Sequence, residues 1–305
     1  GHAADEVRLD LRVVARKDNG VTGSEPATAF PTAATVACSW NPQNSRLIGQ
    51  AIGREAHRYG VHVLLGPGAN IKRNPTAGRN FEYFSEDPLL AGKMAAAQVE
   101  GVQSEGVGAC VKHFALNNAE NYRFMGDSIA DLRAVREIYL KVFEIVVKEA
   151  HPAAVMCAYN KINGEYCSQN KRLLTDVLRG EWGFGGLVMT DWGAMHDRIA
   201  SLKAGLDLEM PGDTAICRKW IEEGIQSGAL PVQELDKAAE NVLRLVEKYA
   251  AAKADDCDFE ENDALACKVA KDSAVLLKNG GILPLSEGET LFVCGDLFEK
   301  MRYQG

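Results

Sequence analysis

Five stretches of the chain are apolar almost throughout: VHVLLGP (61–67), VGACVKHF (107–114), AAVMCAYN (153–160), GLVMTDW (186–192) and AGLDLEM (204–210). Runs of this length without polar alternation predict strands covered on both faces, as in a parallel sheet. Between them the pattern turns helical. Asp87-Pro88 reads as an N-cap and first turn, opening a helix toward residue 104. From Asp131 to Ala150, the residues Val135, Ile138, Tyr139, Val142, Phe143 and Val146 share one helical face. Segments 169–180 and 231–250 follow the same logic, the second opening at Pro231. Sustained strand–helix alternation predicts an α/β fold with right-handed crossovers. The architecture expected is a (β/α)8-type, TIM-like barrel, complete or not.

Two regions break this pattern. Residues 15–31, with Gly20, Gly23, Pro26 and Pro31, read as a loop preceded by at most a weak strand. The polar stretch AAKADDCDFEEND (251–263) reads as a linker. A helix over Ala264 to Leu277 then leads through Asn279-Gly280-Gly281 to ILPL, and LFVCG (291–295) looks like the first strand of a new α/β unit. The expected division is a barrel over 1–250, a linker over 251–263, and the beginning of an α/β sandwich domain over 264–305.

Composition narrows the function classes. The 305 residues are 46% hydrophobic and 25% charged, as in an ordinary globular protein. A net charge of −8 with no basic run argues against nucleic acid or an anionic membrane as partner. No apolar stretch approaches the roughly 20 residues that cross a bilayer. GHAADEVRLD has neither a basic nor an apolar leader region. The eight cysteines (38, 110, 157, 167, 217, 257, 267, 294) are scattered without a C-x-x-C pair, so a cytoplasmic location is expected. The six histidines are dispersed, and no acidic cluster has ligand spacing, so neither a metal nor a cofactor is expected.

Candidate chemistry gathers where the predicted strands end: Lys112-His113, Tyr159-Asn160, Asp191-Trp192 and Glu209. In a parallel barrel these ends face one mouth. Acids, cations and aromatics in one cleft suit a sugar, whose hydroxyls hydrogen-bond and whose C–H face stacks on indole. A strand-end acid such as Asp191 also serves as a helix cap, so Asp191 alone decides nothing. The loop GRNFEYFSEDP (78–88) adds Arg79, whose fork of donors matches adjacent hydroxyls.

Five segments then resemble glycoside hydrolase family 3, in its bacterial β-glucosidase-type form. They are LLGPGANIKRNPTAGRNFEYFSEDP (64–88), GVQSEGVGACVKHFALNNAE (101–120), VMCAYNKINGEYCSQN (155–170), LLTDVLRGEWGFGGLVMTDWGA (173–194) and AGLDLEMPG (204–212). SAVLLKNGGILPL (273–285) is similar to the start of that family's second domain. The resemblance implies that Asp191 is a catalytic nucleophile forming a covalent glycosyl-enzyme, with retention. It implies that Arg79, Lys112 and His113 hold hydroxyls of the terminal sugar, and that Tyr159 and Trp192 line the same pocket. Met156 and Glu209 are weaker pocket candidates. The implied substrate is an oligosaccharide or an aryl or alkyl β-glycoside with a terminal glucosyl or xylosyl residue.

Two departures stand beside the match. The family's N-terminal Asp-Gly-Pro segment has no counterpart; Asp10 in RLDLR and Asp18 in KDNGV lie in the wrong context. The general acid Glu of β-glucosidase-type relatives lies in the second domain, beyond Gly305. The alternative acid, a His in the loop after Lys-His, is missing from ALNNAENYRF, where Glu120 reads as a structural partner of Arg123. A non-catalytic sugar-binding barrel and a Schiff-base lyase using Lys112 therefore remain as alternatives. An unfinished second domain would expose apolar residues over 273–295, so a homo-oligomer or a complementing second-domain segment is expected to cover them.

Overall fold

Four of the five apolar runs pair, in chain order and all parallel, into one sheet: β1 (Val63–Leu64), β2 (Gly108–Phe114), β3 (Ala154–Cys157) and β4 (Leu187–Thr190). They are seen in a computed structural model that describes residues 26–250 and 257–299. Every residue of β3 and β4 is buried, and in β2 only Lys112 is partly exposed. Coverage on both faces explains why these runs lack alternation. Among the described residues the four strands form an open sheet without a closing pair. Residues 15–25 of the predicted N-terminal loop lie outside the described residues.

The fifth run, 204–210, is not a strand. Leu208 makes one bridge to Met189, and Thr190 N–H donates to the Leu208 carbonyl at 3.0 Å. The reason is Asp207. Its carboxylate accepts from Val188 N–H at 2.7 Å, Arg179 Nη2 at 2.6 Å and Asn241 Nδ2 at 2.8 Å. A side chain thus takes the N–H that a ladder would have used.

The α-helices of five residues or more among the described residues are α1 (Ala33–Ala37), α2 (Pro42–Arg58), α3 (Pro88–Ser104), α4 (Lys141–Ala150), α5 (Arg198–Ala204), α6 (Thr214–Gln226), α7 (Val232–Tyr249) and α8 (Phe259–Asp272). Asp87 caps α3 as expected, accepting from Leu90 N–H at 2.7 Å. The predicted helix over 131–150 is interrupted: a π turn at Val135–Tyr139, with Leu140 N–H on the Val135 carbonyl at 2.8 Å, precedes α4. Segment 169–180 is likewise a π-helical stretch, Arg172–Glu181.

The C-terminal expectations shift. The helix predicted at 264–277 begins and ends five residues earlier, because Asp258 caps it through Glu260 N–H (2.8 Å) and Glu261 N–H (3.2 Å). It packs on α2, where Asn262 Nδ2 donates to Glu55 Oε1 at 2.9 Å and Val269 joins the core. LFVCG is not a strand, and Leu291, Phe292 and Val293 are exposed.

Helices α2 and α3 touch backbone to backbone. A Cβ on Gly49 would lie 2.5 Å from the Gln98 carbonyl oxygen, and one on Gly101 would collide with that of Arg46. Ser45 Oγ also donates across the crossing to the Met94 carbonyl at 2.8 Å. Alanine at Gly101 gains about 1 kcal/mol of helix propensity. It loses more, about 2–3 kcal/mol, because the obstacle is partner backbone that cannot rotate away. Gly101→Ala is therefore expected to lower the urea midpoint, whereas Gly185→Ala, with open space at its Cβ position, should leave it in place.

Candidate active site

The end of β4 delivers Asp191, whose backbone N–H continues the pairing to the Cys157 carbonyl at 3.2 Å. Gly193, at φ 76°, then turns the chain so that its N–H meets the Met210 carbonyl at 2.9 Å. Asp191 Oδ1 accepts from Trp192 N–H at 2.8 Å. Oδ2 is buried and has no hydrogen bond of its own.

The end of β2 delivers His113 through a bulge. Lys112 pairs with Met156 and Phe114 with Cys157, so His113 is left outside the ladder. Its backbone is held instead by one side chain: His113 N–H donates to Asn70 Oδ1, and Asn70 Nδ2 donates to the His113 carbonyl, both at 2.8 Å. The ring is thereby aimed at β4, with Nε2 3.5 Å from Asp191 Oδ2.

Two guanidinium groups close on the same oxygen. Arg123 Nη2 lies 3.7 Å away and Arg79 Nη1 4.0 Å away. Each has a carboxylate partner of its own. Arg79 Nε is hydrogen-bonded to Glu82, and Arg123 Nε lies 3.3 Å from Glu120 Oε2. Lys112 Nζ reaches Glu82 Oε2 at 3.4 Å, not Asp191. Arg123 also stacks on Tyr159, with Cζ 4.3 Å from the ring centroid. The Tyr159 hydroxyl donates to the Trp192 carbonyl at 2.8 Å, and the Trp192 side chain is 40% exposed, as a wall open to a ligand.

Charge and burial oppose each other here. Burial pushes Glu82 up, but Lys112 and the hydrogen bond from Arg79 hold it below the usual carboxylate range. Burial and then the Asp191 charge push the Tyr159 hydroxyl up, so it stays a donor. Burial, followed by the charges of Arg79, Lys112 and Arg123, holds His113 well below its ordinary value.

The structure thus brings Arg79, His113, Tyr159, Trp192 and Asp191 together, with Lys112 one ion pair further out. Met156 is packed in the core beneath them. Glu209 is turned away, paired with Arg198 and accepting from Cys217 Sγ at 3.3 Å. From the sequence, Arg123 is expected only as a partner of Glu120, and Asn70, Glu82, Tyr83 and Asn117 have no predicted role. Their one sequence signal is position, on loops next to strand ends. Two cavities of about 230 and 300 Å³ lie under the opposite end of β3 and β4 and between α5, α6 and α7. Neither touches Asp191. Asp191 Oδ2 is thus a buried oxygen without a hydrogen-bond partner that lies outside either void. Among the described residues no cluster of His, Cys, Asp and Glu is placed to hold a metal ion.

Comparison with known proteins decides the lineage. Residues 3–245 match the description "Glycosyl hydrolase family 3 N terminal domain". The chain belongs to glycosyl hydrolase family 3. It is 49% identical over 288 residues to thermostable beta-glucosidase B of Acetivibrio thermocellus, covering 93% of this chain and 38% of that one. It is 48% identical to an exo-alpha-(1->6)-L-arabinopyranosidase of Bifidobacterium longum, over 92% of this chain and 39% of the relative. The crystal structure of Bifidobacterium adolescentis GH3 beta-glucosidase superposes with TM-score 0.88 at 48% identity, covering 92% of this chain and 42% of that one. Beta-glucosidase 3B from Thermotoga neapolitana in complex with glucose gives TM-score 0.81 at 45% identity, over 88% and 39%. The chain therefore spans about two fifths of the length of these family 3 relatives.

The buried imidazole carries a pH signature in this family 3 chain. In the unfolded chain His113 titrates at its ordinary value of 6.5; in the folded chain it resists the proton. The unfolded state therefore binds more protons below that value, and stability rises with pH in that range. The His113 contribution should be fully present above pH 6.5 and lost as pH falls below it, by at most about 1.4 kcal/mol per unit. Urea unfolding at about pH 7.5 and about pH 5.5 tests this. The fall in stability should be larger for the wild type than for His113→Gln.

Proposed function

We propose that this chain is the nucleophile-bearing part of a retaining, exo-acting β-glycosidase that releases a terminal β-D-glucosyl or β-xylosyl residue. The observation that carries the reading is the buried Asp191 Oδ2, ringed by donors at 3.5–4.0 Å yet bonded to none. Asp191 attacks the anomeric carbon, the glycosidic C–O bond breaks, and a general acid gives its proton to the departing oxygen. Water, deprotonated by the same group, then hydrolyses the glycosyl ester with overall retention. Arg79, Arg123, Lys112 and His113 donate to sugar hydroxyls, Tyr159 orients the Asp191–Trp192 turn, and Trp192 stacks on the ring. Gluco configuration is the default, supported by the β-glucosidases among the relatives.

The acid is assigned to residues outside this chain. A protonated carboxyl is needed about 5–5.5 Å from the nucleophile. Glu82 is held ionised by Lys112 and Arg79. Glu120 is committed to Asn117 Nδ2 at 3.1 Å and to Arg123. The four strands are read as part of a TIM-like barrel wall, because their spatial order follows chain order without reversal. The Schiff-base reading of Lys112 is set aside: an amine nucleophile must be neutral, and this one is paired with Glu82.

An activated 2-deoxy-2-fluoro aryl β-glucoside tests the proposal, since a good leaving group needs little protonation. Intact mass should rise by one fluoroglucosyl group, with the label mapping to Asp191. Asp191→Asn should take up none and release the aryl group on the order of 10³-fold or more slowly. Saturable glucose binding with no label in the wild type would leave a sugar-binding fragment instead.

A further inference from the structure

A row of hydrogen bonds behind the site has a direction that chemistry fixes. Glu120 Oε1 lies 3.1 Å from Asn117 Nδ2. A carboxylate only accepts, so Asn117 must turn its NH₂ group, not its oxygen, toward Glu120. The same nitrogen lies 3.0 Å from the Tyr83 hydroxyl oxygen, to which it gives its second hydrogen. The Tyr83 hydroxyl lies 2.9 Å from His113 Nδ1. Among the described residues this buried hydroxyl has no other partner, so its single hydrogen, which would otherwise be left unpaired, goes to Nδ1. A neutral imidazole has one acceptor and one donor nitrogen, so the ring hydrogen sits on Nε2. Nε2 is the atom 3.5 Å from Asp191 Oδ2.

We infer that Asn117 and Tyr83 are positioning residues, which transmit the polarity of the Glu120 carboxylate to His113 and lock it in the Nε2–H tautomer. The ring then presents an N–H to Asp191 and to a sugar hydroxyl beside it. The opposite tautomer would set a lone pair against the carboxylate. Packing alone does not explain these groups. Tyr83 and Asn117 are 2% and 3% exposed, where an apolar side chain would fill the space without polar atoms to satisfy. Gly68 is shaped to the same end, since a Cβ there would stand 2.9 Å from the Tyr83 ring. Asn70 holds the His113 backbone from both sides, so the ring cannot retreat from the network. The catalytic meaning of the relay rests on the glycosidase reading; the tautomer does not.

Nitrogen NMR of the histidine-labelled chain tests the lock directly, with the His113 signals assigned by their loss in His113→Gln. In the wild type at neutral pH, Nε2 should show a protonated, pyrrole-type shift and Nδ1 a pyridine-type shift. Tyr83→Phe keeps the buried ring but removes the hydroxyl, and both shifts should move toward a tautomer average. In the same variant kcat/KM for an activated aryl β-glucoside should fall about tenfold, the size of one lost hydrogen bond. A protonated Nδ1 in the wild type would overturn the inference, as would shifts left unmoved by Tyr83→Phe. A wild type with the Nε2–H tautomer that takes up no fluoroglucosyl label would remove the glycosidase reading and keep the relay.

Discussion

The site depends on cations that are held near Asp191 and yet held back from it. Arg79, Arg123 and Lys112 face Asp191, Glu82 and Glu120, three positive groups against three negative ones, with His113 kept neutral by burial. A lone aspartate beside two arginines would draw them into charge-assisted hydrogen bonds at about 2.7–2.9 Å, in place of ion pairs at 3.7 and 4.0 Å. Here the two glutamates compete. Arg123 is nearer to Glu120 (3.3 Å) than to Asp191 (3.7 Å), and Lys112 is given wholly to Glu82. The cluster stays close to neutral, which burial requires, while one oxygen remains uncommitted.

The backbone supplies the geometry for that balance. A regular β2 would have placed His113 in register with β3, its N–H and carbonyl consumed by the ladder. The bulge frees both, and Asn70 takes them at 2.8 Å, so one carboxamide converts a strand residue into a fixed donor. On the neighbouring strand, the turn at Gly193 brings Trp192 N–H back onto Asp191 Oδ1. One carboxylate oxygen is thereby spent on the turn and the other is left facing the cleft.

The parts legible in the sequence are those governed by burial on a sheet. Unalternating apolar runs located β1 to β4, and the residues that follow them converge as parallel topology demands. Helix α2 escaped detection despite an Asn41-Pro42 start like that of Asp87-Pro88. Its buried face mixes Ile48, Ala51 and Ala56 with Asn44, Ser45, Gly49, Gly53 and Glu55, because part of it meets α3 through backbone. The run at 204–210 misled in the opposite way: one Asp207 carboxylate captured the N–H that a strand needed. Arg123 and Asn117 belong to a loop whose path, with Tyr122 at φ 53°, has no periodic signature. Their contacts arise from how that loop folds back over the sheet.

Two glutamates that resemble candidate acids in a list of residues have a different use in three dimensions. A general acid must hold a proton at working pH, which requires burial without a cation to stabilise the charge. Glu82 has burial and two cations, and the cations win. Glu120 points one oxygen at Asn117 and the other at Arg123, so it orients donors instead of acting as one. The same ion pairs that spare Asp191 therefore disqualify its neighbours as proton donors. In the glycosidase proposed above, such a site would separate its two tasks physically: attack would be organised within the sheet, and protonation of the leaving group would come from a carboxyl that these arginines and Lys112 do not reach.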